Sequence, residues 1–259
     1  MSKNKCKLCN TEQELEKSHI IPRSYFKSLK SGNGQLVSIL CDDTAIPKLS
    51  NTDPKERLLC KVCEDLLNVN YEGYGTQLFK KHRNVKKTKD FIEFSGFKYT
   101  DYYLFLVSIL WRASISTLAD FSNVKLGPEF EKIIGKCIHN KSLEIGASLK
   151  IDHFIKISVL RVIDSSNRID DDIIKKIMIN FGMEHGKSAL EGMIYYFMID
   201  GFLITFFLSV GKNLQDIQTS KVFAQLLDLE KIRIPKAEIT DLKQINDAFN
   251  IIINSASKK

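Results

Sequence analysis

The chain is short of several things. Its 259 residues include five prolines, 13 glycines, one tryptophan and five histidines. So few prolines and glycines exclude a collagen-like or linker-like chain. A hydrophobic content of 44% excludes a wholly disordered one. No stretch reaches the ~18 consecutive apolar residues of a membrane-spanning helix. The longest candidate, 193–210, is interrupted by Asp200-Gly201. The N-terminus, MSKNKCKLC, is polar and has no apolar segment of the kind a signal peptide needs, so a cytoplasmic protein with no membrane partner is expected. A phosphate loop is missing too, because Gly73-Tyr74-Gly75 lacks the GxxxxGK[ST] spacing. Nor is there an internal repeat.

What is present is unevenly placed. Residues 1–100 carry 18 Lys/Arg against 12 Asp/Glu, a net of +6, whereas residues 101–259 carry 20 against 19. Solubility alone does not require that asymmetry, while a face meeting phosphates would produce it. The densest basic run is 80–89, KKHRNVKKTK, in which Lys80, Lys81, Arg83, Lys86 and Lys87 are candidate nucleic-acid contacts. The bland alternative is a solvated linker or helix face.

Of six cysteines, four form two CxxC pairs, Cys6/Cys9 and Cys60/Cys63. Each CxxC sets two sulfurs on one tight turn, so two pairs can close a tetrahedron around zinc. A redox CxxC is the competing reading, but it leaves the second pair without a purpose. Fifty residues separate Cys9 from Cys60, so an insert must bring the two knuckles together. Cys41 and Cys137 read as ordinary buried thiols.

Hydrophobic patterning outlines the rest. A short strand is expected at 35–40, and a helix from Leu58 onward. A buried helix covers YYLFLVSILWRAS, within which Arg112 must be paired or reach a surface. An amphipathic helix starts at Pro128. A strand is predicted within 152–164 and a helix over 170–181. Two apolar runs flank Asp200-Gly201, a strong hairpin signal. A final helix spans 243–254.

Three motifs then stand in order: CKLC at 6–9, SHIIP at 18–22 and LLCKVCE at 58–64. Together they resemble the HNH (ββα-metal, treble-clef) endonuclease family over residues 4–72. In its zinc-bearing branch a CxxC precedes an acidic-His-Ile-x-Pro strand and an LLCxxC followed by His or Asn. The resemblance implies that Cys6, Cys9, Cys60 and Cys63 hold a structural zinc. It makes His19 the general base that takes a proton from water, and Glu64 a ligand of a catalytic magnesium or manganese ion. Both roles suit the chemistry, since a neutral imidazole accepts a proton near neutral pH and a carboxylate is a hard oxygen ligand. Three positions depart from the pattern. Ser18 stands where an acid or His precedes the base, Lys55 where an Asn orients it, and Leu67 where a Lys or Arg follows. Asn51, Asp53 or Glu56 are possible substitutes from the loop, and Asp42, Asp43 or Glu72 possible additional metal ligands.

The expected architecture is α+β: a small ββα-metal zinc module at residues 1–90, then a mainly helical domain at 91–259 with one β-hairpin. The expected function is metal-dependent endonucleolytic cleavage of DNA, less so RNA, as in bacterial defence against phage or mobile DNA. A partner protein such as an NTPase is a further expectation. The alternative is a catalytically inactive zinc module that binds nucleic acid or protein.

Overall fold

Asp200 and Gly201 both adopt left-handed backbone conformations, φ +53° and +72°. They join two strands, Met193–Ile199 and Phe202–Leu208, in full antiparallel register. This hairpin lies at the centre of a much larger sheet. The computed structural model describes residues 4–29, 36–39, 48–50, 54–78, 85–185, 192–208 and 225–256.

In chain order the strands are β1 (Asn4–Lys5), β2 (Glu12–Gln13), β3 (Leu15–His19), β4 (Leu36–Ile39), β5 (Lys48–Ser50), β6 (Lys55–Cys60), β7 (Val85–Lys87) and β8 (Phe91–Ser95). There follow β9 (Glu144–Gly146), β10 (Leu149–Lys150), β11 (Ile155–Ile163), β12 (Ile177–His185), β13 (Met193–Ile199), β14 (Phe202–Leu208) and β15 (Lys231–Glu238). The helices are α1 (Arg23–Leu29), α2 (Lys61–Leu67), α3 (Tyr99–Ile115), α4 (Pro128–Asn140), α5 (Asp171–Lys176) and α6 (Lys243–Ala256).

Nine strands form one mixed sheet in the order β5-β4-β12-β13-β14-β11-β15-β8-β7. Among the described residues, only β4–β12 and β11–β15 pair in parallel. The expectation of a small ββα-metal module followed by a mainly helical domain with one hairpin is therefore corrected: the chain is built around a wide mixed sheet. The physical reason is burial on both faces. Ile155, Ile157 and Val159 of β11 join one apolar core, and Leu160 and Val162 join the other. Tyr195 and Phe197 of β13 face the first core, while Tyr196 and Met198 face the second. Such strands read as continuous apolar runs, without the alternation that marks a half-exposed strand.

The stretch 170–181 shows the same effect. Asp170 caps α5 by accepting a hydrogen bond from the Asp172 backbone N–H, but the helix stops at Lys176, and Ile177–His185 is the strand β12. Ile174, Ile177, Met178 and Phe181 imitate helical spacing, yet 177–182 are all buried between two layers. Strand β15 carries Pro235 where its partner changes. It pairs with β8 over Lys231–Pro235 and with β11 over Lys236–Glu238. A residue without an N–H fits a strand at such a changeover.

Helix α3 covers one face of the sheet, and Tyr103 of α3 donates to the Ile155 carbonyl of β11 at 2.8 Å. The other face is covered by α5 and α6, through Ile174, Ile245, Ala248 and Phe249. The cysteine-bearing segments pack on α3 in turn, with Leu15, Ile20, Leu59 and Leu67 in its core. Because α3 has neighbours on every side, it is apolar nearly all round. No helix among the described residues is long and apolar enough to cross a membrane.

Candidate metal centre and the polar network beside it

Strands β1 and β2 form a short hairpin whose turn carries Cys6 and Cys9. The turn is fixed by Cys6 N–H on the Thr11 carbonyl and Asn10 N–H on the Cys6 carbonyl, both 2.9 Å, with Asn10 left-handed at φ +63°. Cys60 ends β6 and precedes the first turn of α2, which holds Cys63. Two bonds lock the knuckles together. Lys7 N–H donates to the Leu58 carbonyl at 3.0 Å, and Cys60 N–H donates to the Cys6 sulfur at 3.3 Å.

The four sulfurs lie within 4.8 Å of one another. Zinc–sulfur bonds of ~2.3 Å imply a tetrahedral edge of about 3.8 Å, and Cys9 Sγ stands 3.8 Å from Cys60 Sγ. That separation is far beyond the ~2.05 Å of a disulfide. Without a cation, burial raises the Cys60 and Cys63 thiols above their ordinary pKa. Burial also pushes Cys9 upward, but hydrogen bonds from Thr11, Cys6 and Cys63 outweigh it and bring Cys9 down to about 6. A divalent cation bound by all four sulfurs would offset the burial of these thiols by making them ligands. The four cysteines are placed to bind a structural metal such as zinc. Cys137 is buried on α4, and burial raises its thiol to about 11. Cys41 lies outside the described residues.

His19 is the last residue of β3, half-buried, opposite Lys55 of β6. It is not part of the cysteine cluster. Arg112, with no exposed side-chain surface, reaches from α3 to this strand. Its Nη1 donates to the His19 carbonyl at 2.7 Å and to Glu72 Oε1 at 2.8 Å, and its Nε donates to the Ser108 carbonyl at 3.3 Å. The requirement that Arg112 be paired is thus met by Glu72. Contact with a carbonyl 93 positions away had no local signal in the sequence.

Glu64 lies beside this network. Burial raises its carboxyl above the usual range; Ser18 and Arg112 pull it back, and Glu72 and Glu16 push it further up. In a regular α-helix Glu64 and Glu72 would point about 80° apart. A π turn at Asn68–Glu72 continues α2 and widens the helix between them. Glu64 Oε1, Ser18 Oγ and Arg112 Nη2 are buried with no hydrogen-bond partner among the described residues.

These residues do not fit a second, catalytic magnesium or manganese ion. Among the described residues, only the four cysteines form a group of three or more metal-ligating side chains. Glu72 is committed to Arg112, and the guanidinium already supplies positive charge beside both carboxylates. Glu56 is also committed: it accepts hydrogen bonds from Ser116 Oγ, Thr117 N–H and Thr117 Oγ1 at 2.6–2.9 Å. Asp42, Asp43, Asn51 and Asp53 fall outside the described residues, as do Lys80, Lys81 and Arg83. Lys86 and Lys87 are exposed on β7, at one edge of the sheet. Lys86 lies opposite Glu93, which also pairs with Arg233 at 2.7 Å. No family model, curated protein or solved structure matches the chain.

Proposed function

We propose that the chain acts on nucleic acid as an HNH-type endonuclease whose site is held by structural zinc, with DNA the preferred substrate. The observation that supports this is the convergence of the two CxxC turns, since the SHIIP strand leads away from one and Glu64 follows the other directly. In this reading the imidazole of His19 takes a proton from water as its oxygen bonds to phosphorus, the P–O bond to one sugar breaks, and that sugar oxygen leaves and is protonated from solvent. Arg112 and Glu72 hold the backbone that presents it. The cellular role that follows from the resemblance is defence against phage or mobile DNA.

A specific observation favours a second reading, in which the zinc-bearing part binds nucleic acid without cutting. Glu64 Oε1 is buried, and Glu72 is already paired with Arg112. A plasmid- and RNA-cleavage assay separates the two, with magnesium or manganese in the buffer. Cleavage by the native chain that falls by about 10²–10⁴-fold in His19→Ala, at unchanged zinc content, supports the nuclease. Absence of cleavage, or cleavage indifferent to His19→Ala, rejects it and leaves the binding reading.

A further inference from the structure

Positive charge also gathers beside the cysteine knuckle, apart from the basic run at 80–89. A cleft of about 680 Å³ opens between that knuckle and helix α4. Its floor is apolar. Leu8 of the knuckle and Trp111 of α3 both approach within 4 Å of where a side chain at Gly135 would begin. Its rim is cationic: Lys7 comes from between the cysteines of CKLC, and Lys132 and Lys136 from one face of α4. All three lysines are exposed. The spacing i, i+4 sets Lys132 and Lys136 one turn apart, about 5–6 Å between their β-carbons.

Among the described residues, the only carboxylate lining the cleft belongs to Glu131. Its Oε1 accepts a hydrogen bond from Ser114 Oγ, and its backbone carbonyl accepts one from Trp111 Nε1 at 2.9 Å. Glu131 is thus tied toward α3. Among the described residues none of the three lysines forms an ion pair; Lys7 helps to lower the carboxyl of Glu56, which does not line the cleft and is bonded to Ser116 and Thr117. Three ammonium groups around one open cleft suit a polyanion with regularly spaced charges. Lys7 adds a constraint, because its backbone N–H is bonded to the Leu58 carbonyl and its position is set by the cysteine cluster.

We propose that the cleft between the cysteine knuckle and α4 is a nucleic-acid backbone site, in which Lys7, Lys132 and Lys136 contact neighbouring phosphates. This rests on nucleic acid being the partner in the proposed function, but not on cleavage. It makes α4 part of the binding surface, and it couples that surface to the metal, because loss of zinc would release Lys7.

The test is fluorescence anisotropy of the full, zinc-loaded chain with labelled duplex DNA, duplex RNA of the same sequence and poly-glutamate. The cleft variant is Lys7→Glu, Lys132→Glu, Lys136→Glu. The control makes the same charge change at exposed lysines elsewhere: Lys150→Glu, Lys176→Glu, Lys231→Glu. Unchanged circular dichroism and zinc content establish that both variants fold. The expected result is at least about a tenfold loss of DNA or RNA affinity in the cleft variant alone. The log–log salt slope should flatten by up to about 2.7, or 0.9 for each of three contacts. The DNA and RNA arms show which polymer the cleft prefers. Equal loss in the control, no binding by the native chain at low salt, or equally tight binding of poly-glutamate would each overturn the proposal. Cleft-dependent binding without cleavage would reject the nuclease reading and leave this inference standing.

Discussion

A fully buried guanidinium is costly to hold, and Arg112 is held by groups distant in sequence, Glu72 and the carbonyl of His19. Removing one member of a buried pair leaves the other charge unpaired, at a cost of about 3–5 kcal/mol. Arg112→Met is expected to destabilise the chain by that amount, because Glu72 is only 14% exposed. Adding Glu72→Gln removes the orphaned charge, so the double variant should recover part of the loss. Urea unfolding of the two singles and the double measures this coupling. A double variant no more stable than Arg112→Met would show that the pair contributes little. An arginine inside an apolar helix is a visible anomaly in sequence, and it announces a partner. Which partner it finds depends on how α2 crosses α3, and nothing in the local sequence encodes that crossing.

Where α2 continues past its π turn, Gly75 meets α3 at Phe105. A β-carbon at Gly75 would stand 2.2 Å from Phe105 Cδ1, and Phe105 is fully buried. Gly75→Ala is therefore expected to cost about 1–3 kcal/mol through overpacking. Phe105→Leu in the same chain should return part of it, read as the midpoint of urea unfolding. A neutral Gly75→Ala would mean that the two helices are not pressed together there. The elements themselves were unequally legible. The buried helix α3, the helix that starts at Pro128 and the hairpin at Asp200-Gly201 could all be read, because each has a local cause: continuous apolarity, a proline at the first turn, a left-handed dipeptide. The first part of strand β12, residues 177–181, carries helical spacing in the sequence, because burial on two faces removes alternation. Strands β8 and β15 do alternate, with Ile92, Phe94, Ile232 and Ile234 buried, but β8 is short and β15 contains Pro235. Parallel pairs such as β11–β15 join residues about 75 positions apart, and no local pattern announces them. The cysteine cluster was the most legible part of the candidate site, since CxxC spacing is itself a geometric statement.

At the scale of the molecule, the two apolar cores differ in what they owe to the metal. The core around α3 includes Cys6, Cys60 and Cys63 among its buried residues. The core under α5 and α6 contains none of the cysteine-bearing segments, being built from β11–β14, the end of β15 and the helices above them, with Ile39 of β4. A metal bound by four thiolates contributes directly to the stability of the segments that carry them. About one zinc per chain is expected by elemental analysis, lost in Cys60→Ser. On chelation, hydrogen exchange should rise in residues 4–20 and 54–75, where short strands rely on the cluster to stay paired. Strands β11, β13 and β14, covered on both faces, should keep their protection. Circular dichroism should accordingly retain most of the strand signal while the near-ultraviolet environment of Trp111, packed beside Leu8 of the knuckle, changes. Uniform loss of protection across the sheet would show that the cysteine cluster nucleates the whole fold. A zinc-free protein with unaltered exchange in residues 4–20 would show that the four sulfurs are not a metal site at all.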